Sequence, residues 1–273
     1  MASTPELRSA SYGRPQRIID IHTHPAFFNA RVDRRRIEVL IRRARLFGVE
    51  RMVVLGDVLR YGRLPDQRQI RRINNQTRQL VTWYPDYFLG FCYLNPKLGS
   101  TAVAEEVARC AGFGFRGIKL EISCNAAHRD MGPVMAAARN HRLPVLQHTA
   151  DQTWIRQRSF HSDPADTATL GRRHPDVQII MAHLTSVGVR GVREVEDIPN
   201  IVVDTSAFLP TAGLVEYAVS RLGADRVVYG SDLVIRDLGS SIGRVAGATL
   251  RARDRDAVFY GNARRILGLE AND

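Results

Sequence analysis

The sequence predicts an α/β fold, the (β/α)8 TIM barrel. Short runs rich in Val, Ile and Leu alternate along the chain with segments of helical spacing, which is the pattern of parallel strands joined by crossover helices. There are eight such runs, the number that closes a barrel, whereas an open doubly wound sheet usually needs about five or six strands. The length of 273 residues also suits one barrel, which typically takes about 250 residues.

The predicted elements follow one another without a Pro-, Gly- or Ser-rich linker. The eight predicted strands are Arg17–His24, Arg51–Asp57, Phe88–Asn95, Gly117–Ser123, Pro144–Thr149, Gln178–Thr185, Ile201–Ser206 and Arg226–Asp232. Helical spacing is clearest over Arg34–Phe47, Gln67–Trp83, Thr101–Cys110, Pro133–Asn140 and Leu214–Leu222. We therefore expect a flexible N-terminal arm over residues 1–15 and a single barrel domain over residues 16–273.

Two longer loops interrupt this rhythm, Val58–Arg68 and Ala150–Asp166. Both follow predicted strands, so in a barrel they emerge at the carboxyl ends of the strands. That is the face on which the active sites of TIM barrels lie. The sequence therefore predicts that these two loops border a functional site.

The composition excludes several classes of protein. The net charge is +11, but only Lys97 and Lys119 are lysines and the remaining basic residues are scattered arginines, so nucleic-acid binding is not expected. Three cysteines without paired spacing do not form a disulfide framework or a cysteine-rich zinc module. No apolar run approaches the ~20 residues of a membrane span, so we expect a cytoplasmic protein without membrane contact.

Five polar residues fall at the carboxyl ends of predicted strands. They are His22 and His24 on the first strand, His148 on the fifth, His183 on the sixth and Asp232 on the eighth. Side chains alternate between the two faces of a strand, so the imidazoles of the first strand share one face and can reach a single ion. Satisfied polar residues of the core are the alternative, but unpaired buried imidazoles are costly. The sequence therefore predicts a metal site.

The donors in this set are nitrogen and oxygen atoms, which suit a divalent cation. Zinc is preferred, while manganese, iron and cobalt are also compatible, and one ion is favoured over two. Asp232 is predicted both to bind the metal and to move a proton, and His183 to stabilise negative charge or shuttle a proton. Asp204 and Ser206, on the seventh strand, are candidates for orienting the histidines.

These motifs resemble the amidohydrolase superfamily. The His-X-His pair, the single histidines closing strands five and six, and the aspartate after Gly-Ser carry the resemblance. Segments 115–120 and 259–269 are similar to the amidohydrolase-related branch that includes aminocarboxymuconate semialdehyde decarboxylase and the resorcylate decarboxylases. The resemblance implies a TIM barrel of the metal-dependent hydrolase type, in which His22, His24, His148 and Asp232 bind one metal and His183 acts in catalysis. In two-metal members, His148 and His183 would hold the second ion.

The fourth strand departs from many relatives, which read Lys-Leu-His-Pro where this chain has Lys119-Leu120-Glu121. Glu121, or a carboxylated Lys119, could bridge two ions as in two-metal members of the superfamily. A structural ion pair between them is the alternative, and Lys119 could also bind substrate.

The loops around the predicted site add further candidates. Arg60, Trp154 and Arg158 are predicted to bind substrate, and Arg236 follows Asp232. Arginine forks bind carboxylates, although solvated side chains are the alternative reading for each of these arginines.

The first functional hypothesis is hydrolysis of an amide, lactone or ester of a small organic acid by metal-activated water. The alternative is metal-dependent, non-oxidative decarboxylation of a small aromatic or unsaturated acid, because both reactions use the same ligands. A barrel that binds a ligand without catalysis is a remote third hypothesis. The expected partner is a small, anionic molecule, and a homodimer is allowed.

Overall fold

Eight parallel strands pair in the order of the chain, each with the next. The computed structural model describes residues 16–27, 32–151, 159–209 and 211–270. The strands are β1 (Ile18–Thr23), β2 (Val49–Val54), β3 (Phe88–Leu94), β4 (Gly117–Leu120), β5 (Val145–Gln147), β6 (Ile179–Met181), β7 (Ile201–Asp204) and β8 (Val227–Val228). The predicted N-terminal arm, residues 1–15, lies outside the described residues.

Helices alternate with these strands and surround them. They are α1 (Arg34–Leu46), α2 (Gln67–Trp83), α3 (Ser100–Gly112), α4 (Met131–His141), α5 (Pro164–Arg173), α6 (Leu184–Glu194), α7 (Leu214–Leu222), α8 (Leu238–Ala246), α9 (Ala252–Asp256) and α10 (Asn262–Leu267). The predicted (β/α)8 TIM barrel is confirmed. Within the described part of the chain, every helix is too short or too polar to cross a bilayer.

Backbone hydrogen bonds join β1 to the segment that follows β8 and so bring the two ends of the sheet together. The amide of Ile21 donates to the carbonyl of Tyr229 at 3.1 Å, and that of Asp232 donates to the carbonyl of His22 at 2.8 Å. Thr23 forms a parallel bridge with Leu233. This contact places Asp232 beside the end of β1, although the two lie more than two hundred residues apart in sequence.

Local capping signals explain where several helices begin. Helix α2 follows Asp66, whose side chain accepts from the amide of Gln69 while the Gln69 side chain accepts from the amide of Asp66. The same reciprocal capping box joins Asp163 and Asp166 at the start of α5, with Pro164 in its first turn. The predicted loop to Asp166 therefore overlaps the first turn of α5.

Apolar side chains form two layers, one outside and one inside the sheet. The outer layer packs the strands against the helices. Inside the barrel, Ile21, Val53, Leu146 and Ile180 pack together, and α10 adds Leu267 to this cluster. Because aliphatic side chains fill the interior at the α10 end, polar side chains gather at the opposite end, where the strands finish.

The inner packing leaves no room for a side chain at Gly117 of β4, where an added Cβ would overlap the ring of Phe91. We expect Gly117→Ala to lower the free energy of unfolding by about 1–3 kcal/mol, as overpacking of a close-packed core does. Gly243→Ala is the control, because this glycine lies in α8 with open space around it and alanine favours a helix. Urea denaturation of both variants tests the prediction, and equal stability would contradict it.

Candidate metal centre

A cavity of about 210 Å3 lies at the carboxyl ends of the strands. Its polar lining includes all five of the predicted strand-end residues and two residues from β4 and its end: His22, His24, His148, His183, Asp232, Lys119 and Glu121. Its apolar lining includes Phe27, Val58, Leu59, Phe208 and Ile235. The barrel therefore brings the distant segments of the predicted site to one place.

Three of these residues are close enough to share one ion. His22 Nε2 lies 3.6 Å from Asp232 Oδ1, and His24 Nε2 lies 3.7 Å from the same oxygen. Ligands about 2.1 Å from one tetrahedral ion are about 3.4 Å apart. The ligand atoms of His22, His24 and Asp232 all lie within 4.8 Å of one another. Their spacing therefore fits a single divalent cation.

Each of the four cavity imidazoles is anchored through Nδ1. His22 Nδ1 lies 2.8 Å from Asp204 Oδ2, and His148 Nδ1 lies 2.9 Å from Glu121 Oε1. His24 Nδ1 contacts the carbonyl of Gly56 at 2.7 Å, and His183 Nδ1 contacts that of Thr149 at 3.1 Å.

These partners fix the tautomer of the imidazoles. Carbonyl oxygens and ionised carboxylates only accept hydrogen bonds, so Nδ1 carries the proton and the lone pair of a neutral ring sits on Nε2. Metal-binding histidines are commonly held in this way. His22 Nε2 is also buried without a hydrogen-bond partner among the described residues, as expected of an atom whose lone pair binds a metal ion.

Burial favours the neutral form of two of these rings. Burial, reinforced by His22 and Lys119, lowers the pKa of His24 to about 3. Burial also lowers the pKa of His183 well below its ordinary value, and the neighbouring His148 and His22 add to this shift. Metal ligands must be neutral imidazoles, and His24 is neutral at physiological pH.

Asp204, at the end of β7, holds several parts of the site at once. It is fully buried, and besides His22 it accepts from the amides of His183 and Ser206, both at 3.0 Å, and from the hydroxyl of Ser206. Burial disfavours its charge, but the charge and hydrogen bond of His22, the neighbouring His183 and the hydroxyl of Ser206 outweigh burial and lower the pKa of Asp204 below its ordinary range. An ionised Asp204 therefore orients His22 and the backbone of His183.

Two of the site residues have left-handed backbones, which is uncommon for residues other than glycine. The φ angles are 72° at His183 and 64° at Asp232. Such conformations cost about 1–3 kcal/mol and concentrate at functional sites. Here the amide of His183 donates to Asp204 and that of Asp232 donates to His22, so the conformation is held by the site itself.

Lys119, Glu121 and His148 are linked in series by an ion pair and a hydrogen bond. Lys119 Nζ lies 3.1 Å from Glu121 Oε2, and the other oxygen of Glu121 accepts from His148. Burial disfavours the charge of Glu121, but His148 and Lys119 overcome it and lower its pKa well below the ordinary value. Both carboxylate oxygens are thus engaged, so Glu121 orients His148, while its role as a metal ligand stays a prediction.

A change of register in β1 turns His22 into the cavity. The pairing of β1 with β2 shifts between Asp20 and Thr23. Ile21 packs inside the barrel, and the next residue, His22, also points inward and lines the cavity. Strict alternation would separate these neighbours, so the irregularity lets one strand contribute both to the apolar interior and to the polar site.

The predicted substrate-binding residues fare differently. Lys119 lines the cavity, whereas Arg60 is absent from its described lining and lies over the ring of Tyr61, 5.5 Å from its centroid. Trp154 and Arg158 lie outside the described residues. Arg236 lines the cavity, and its position four residues after Asp232 is the sequence signal that pointed to it. The apolar walls from Phe27, Leu59 and Phe208 were not predicted, because they lie in loops without a periodic pattern.

Comparison with known protein families assigns this chain to one of them. The sequence profile of the amidohydrolase family matches residues 19–269. The chain belongs to the amidohydrolase family. The predicted resemblance is thereby confirmed, and with it the membership of a superfamily of metal-dependent enzymes. No curated protein matches this amidohydrolase significantly in sequence.

Solved structures share the fold at low sequence identity. A 2,6-dihydroxybenzoate decarboxylase from Rhizobium has a TM-score of 0.73 at 17% identity, over 93% of this chain and 99% of that chain. A dihydroxybenzoic acid decarboxylase from Polaromonas, with bound manganese and the inhibitor 2-nitroresorcinol, has a TM-score of 0.69 at 17% identity, over 94% and 98%. An uncharacterized TIM-barrel protein from Bordetella bronchiseptica has a TM-score of 0.74 at 16% identity, over 92% and 98%.

The anchoring of His22 by Asp204 leads to a prediction about metal affinity. Asp204→Asn keeps the volume of the side chain but removes the charge that holds the Nδ1 proton. We expect a loss of metal affinity of about 10- to 100-fold, as is usual when such a partner is removed. Calorimetric titration of manganese and zinc into the metal-free protein measures it. Asp176→Asn, at an exposed ion pair with Arg139, is the control, and equal affinities for the two variants would contradict the proposed role.

Proposed function

We propose that this amidohydrolase is a metal-dependent decarboxylase of a small aromatic or unsaturated carboxylic acid. Hydrolysis was the first expectation from the sequence, and the same ligands serve both reactions. Two findings support reversing that order: the charge of the cavity and the likeness of the fold to decarboxylases of dihydroxybenzoic acids. The charge of the cavity is the observation that carries the proposal.

The charged side chains around the cavity favour an anionic ligand. Lys119 and Arg236 provide two positive charges and Glu121 and Asp232 two negative ones, so they balance. Asp204, behind His22, is a third carboxylate. A divalent cation would therefore leave these five side chains with an excess of one positive charge. Charge interactions are strong in a buried site, and a substrate carboxylate would neutralise this excess.

The size and lining of the cavity favour a small ring. Its volume of about 210 Å3 is below the ~300–1,000 Å3 of pockets that accept drug-sized ligands. Phe27, Val58 and Ile235 provide an apolar wall, against which a planar, unsaturated ring can pack. An extended amide or peptide substrate fits this enclosure less well.

His22, His24 and Asp232 would hold the cation, with His148 as the predicted fourth ligand through Nε2. A divalent ion bound there supplies Lewis acidity, which draws electron density from a substrate held through its oxygen atoms. Nitrogen and oxygen donors suit both zinc, the sequence expectation, and manganese. The manganese of the Polaromonas decarboxylase supports testing manganese first.

The remaining residues would bind the substrate and supply the proton that replaces its carboxylate. Lys119 directs its ammonium group to the substrate carboxylate and orients it. The bond between the ring carbon and the carboxylate carbon breaks, its electron pair stays on the ring carbon, and carbon dioxide leaves. A proton must then reach the ring carbon. We assign this transfer to His183: Thr149 holds Nδ1, so Nε2 would take up a proton from solvent and pass it to the ring carbon, while Asp232 is the predicted second proton carrier.

The reaction type can be tested by following the atoms. We expect the manganese-loaded protein to release carbon dioxide from a member of a panel of small hydroxybenzoic and unsaturated acids. In deuterium oxide, the product should carry one deuterium at the carbon that lost the carboxylate. Incorporation of oxygen from labelled water into the product of an ester, amide or lactone panel, without carbon dioxide, would replace decarboxylation by hydrolysis.

Removal of the metal gives a second prediction. Chelation should abolish the activity, and added manganese or zinc should restore it. His22→Ala should reduce both metal content and activity by at least about 100-fold, because it removes a ligand that no neighbour replaces. His174→Ala, at a partly buried histidine beside Asp176, outside the cavity, is the control. Full activity of the chelated protein would contradict a metal-dependent reaction.

Lys119 can be tested against the only other lysine of the chain. Lys119→Met keeps an apolar stem of similar length but removes the cavity ammonium group. We expect KM for the carboxylic acid to rise about 10- to 100-fold, because a charge-assisted contact is lost. Lys97→Met, at an ion pair with Asp130, should leave KM unchanged. An unchanged KM in a folded Lys119→Met variant would show that Lys119 serves only Glu121.

A further inference from the structure

Arg236 lies at the mouth of the cavity, whereas Lys119 lies at its base. The side chain of Arg236 is 38% exposed and that of Lys119 is fully buried. Both line the same cavity. The two positively charged side chains therefore face the cavity at different depths. Lys119 lies beside His22, His24 and Asp232, which we call the ligand cluster, and Arg236 lies near solvent.

Contacts on two sides hold Arg236 in this place. Its amide donates to the carbonyl of Asp232 at 2.9 Å, which fixes the backbone relative to the ligand cluster. Its guanidinium carbon lies 4.5 Å from the centroid of the Phe208 ring, a cation–π contact. These contacts orient the guanidinium group without supplying a hydrogen-bond acceptor for it.

One of these donors is buried without a hydrogen bond. Arg236 Nε has no hydrogen-bond partner among the described residues, and its closest carboxylate oxygen, Asp232 Oδ2, is 3.7 Å away, beyond hydrogen-bond range. A buried donor left in this state is costly. Because Nε is buried, the guanidinium group would have to turn toward the cavity to pair with an anionic group of a ligand, and its planar shape then matches a carboxylate with two parallel hydrogen bonds.

The wall near the two cations is apolar. Val58 and Leu59 from the loop after β2 line the cavity together with Ile235, the neighbour of Arg236. A ring packed against this wall could place one acidic substituent toward the ligand cluster and Lys119, and a second toward Arg236. A ligand with one acidic substituent would leave Arg236 Nε without an acceptor.

We propose that Arg236 is a specificity-determining residue that selects small ring acids with a second acidic substituent. The inference rests on the proposed function, in which the carboxylate beside the ligand cluster leaves as carbon dioxide. The outer acidic group stays on the product and is held by Arg236. Phe208 acts as a positioning residue, because it supports the guanidinium group without contacting the reacting atoms.

Binding of two unreactive probes to the manganese-loaded protein tests this proposal. Benzoate has one carboxylate and isophthalate has two, on the same ring. We expect calorimetric titration to show about tenfold tighter binding of isophthalate than of benzoate, the effect of one charge-assisted contact at a partly exposed site. Arg236→Met should remove this preference, because it should weaken isophthalate much more than benzoate. Arg72→Met, at an exposed arginine of α2, should keep the preference.

A further variant and three outcomes make the test decisive. Phe208→Leu should weaken isophthalate more than benzoate, because the guanidinium group loses its support. Equal affinity of the two probes for the unaltered protein, equal weakening of both by Arg236→Met, or no measurable binding of either probe would overturn the role of Arg236.

The failure of this inference can be told from failure of the proposed function. A preference for isophthalate that depends on Arg236, in a protein that releases no carbon dioxide from any acid, would keep the specificity role and remove the reaction. Release of carbon dioxide with equal affinity for the two probes would keep the reaction and remove the specificity role.

Discussion

The need to pair the Nδ1 atoms of four imidazoles, three of them buried and His148 partly so, shapes the catalytic end of this barrel. Each ring meets one acceptor: the carboxylates of Asp204 and Glu121, or the carbonyls of Gly56 and Thr149. These acceptors lie at the ends of four different strands or in the loops that follow those strands. Because each hydrogen bond leaves Nε2 to face the cavity, burial and metal recognition depend on the same contacts.

Backbone contacts between the first and last strands link the site to closure of the barrel. Asp232 lies beside the histidines because its amide donates a hydrogen bond to the carbonyl of His22. The same hydrogen bond joins the last strand to the first. The backbones there are closely packed, since a Cβ added at Gly230 would lie 2.9 Å from Cβ of His22. Gly56, whose carbonyl holds His24, has a φ of +79° and abuts Ile73. Opening the sheet would therefore dismantle the site.

The proposed function rests on the charge of the cavity rather than on the ligand set. A metal held by imidazoles and a carboxylate serves hydrolysis and decarboxylation alike. The ammonium of Lys119 and the guanidinium of Arg236 balance the carboxylates of Glu121 and Asp232, and the proposed function adds a divalent cation, whose charge would favour a carboxylic acid as ligand. The carboxylate of Glu121 has a separate task, because its oxygens are taken by Lys119 and His148.

The sequence by itself determined the barrel and the meeting of His22, His24, His148, His183 and Asp232 at one end of it, because hydrophobic periodicity and position at strand ends are regular, local properties. It also determined helices α2 and α7 to the residue. Tertiary structure decided the register shift that turns His22 inward, the pairing of Glu121 with His148, and the entry of Arg236 rather than Arg60 into the cavity. These depend on loop paths and on contacts between strands distant in sequence, which no local pattern encodes.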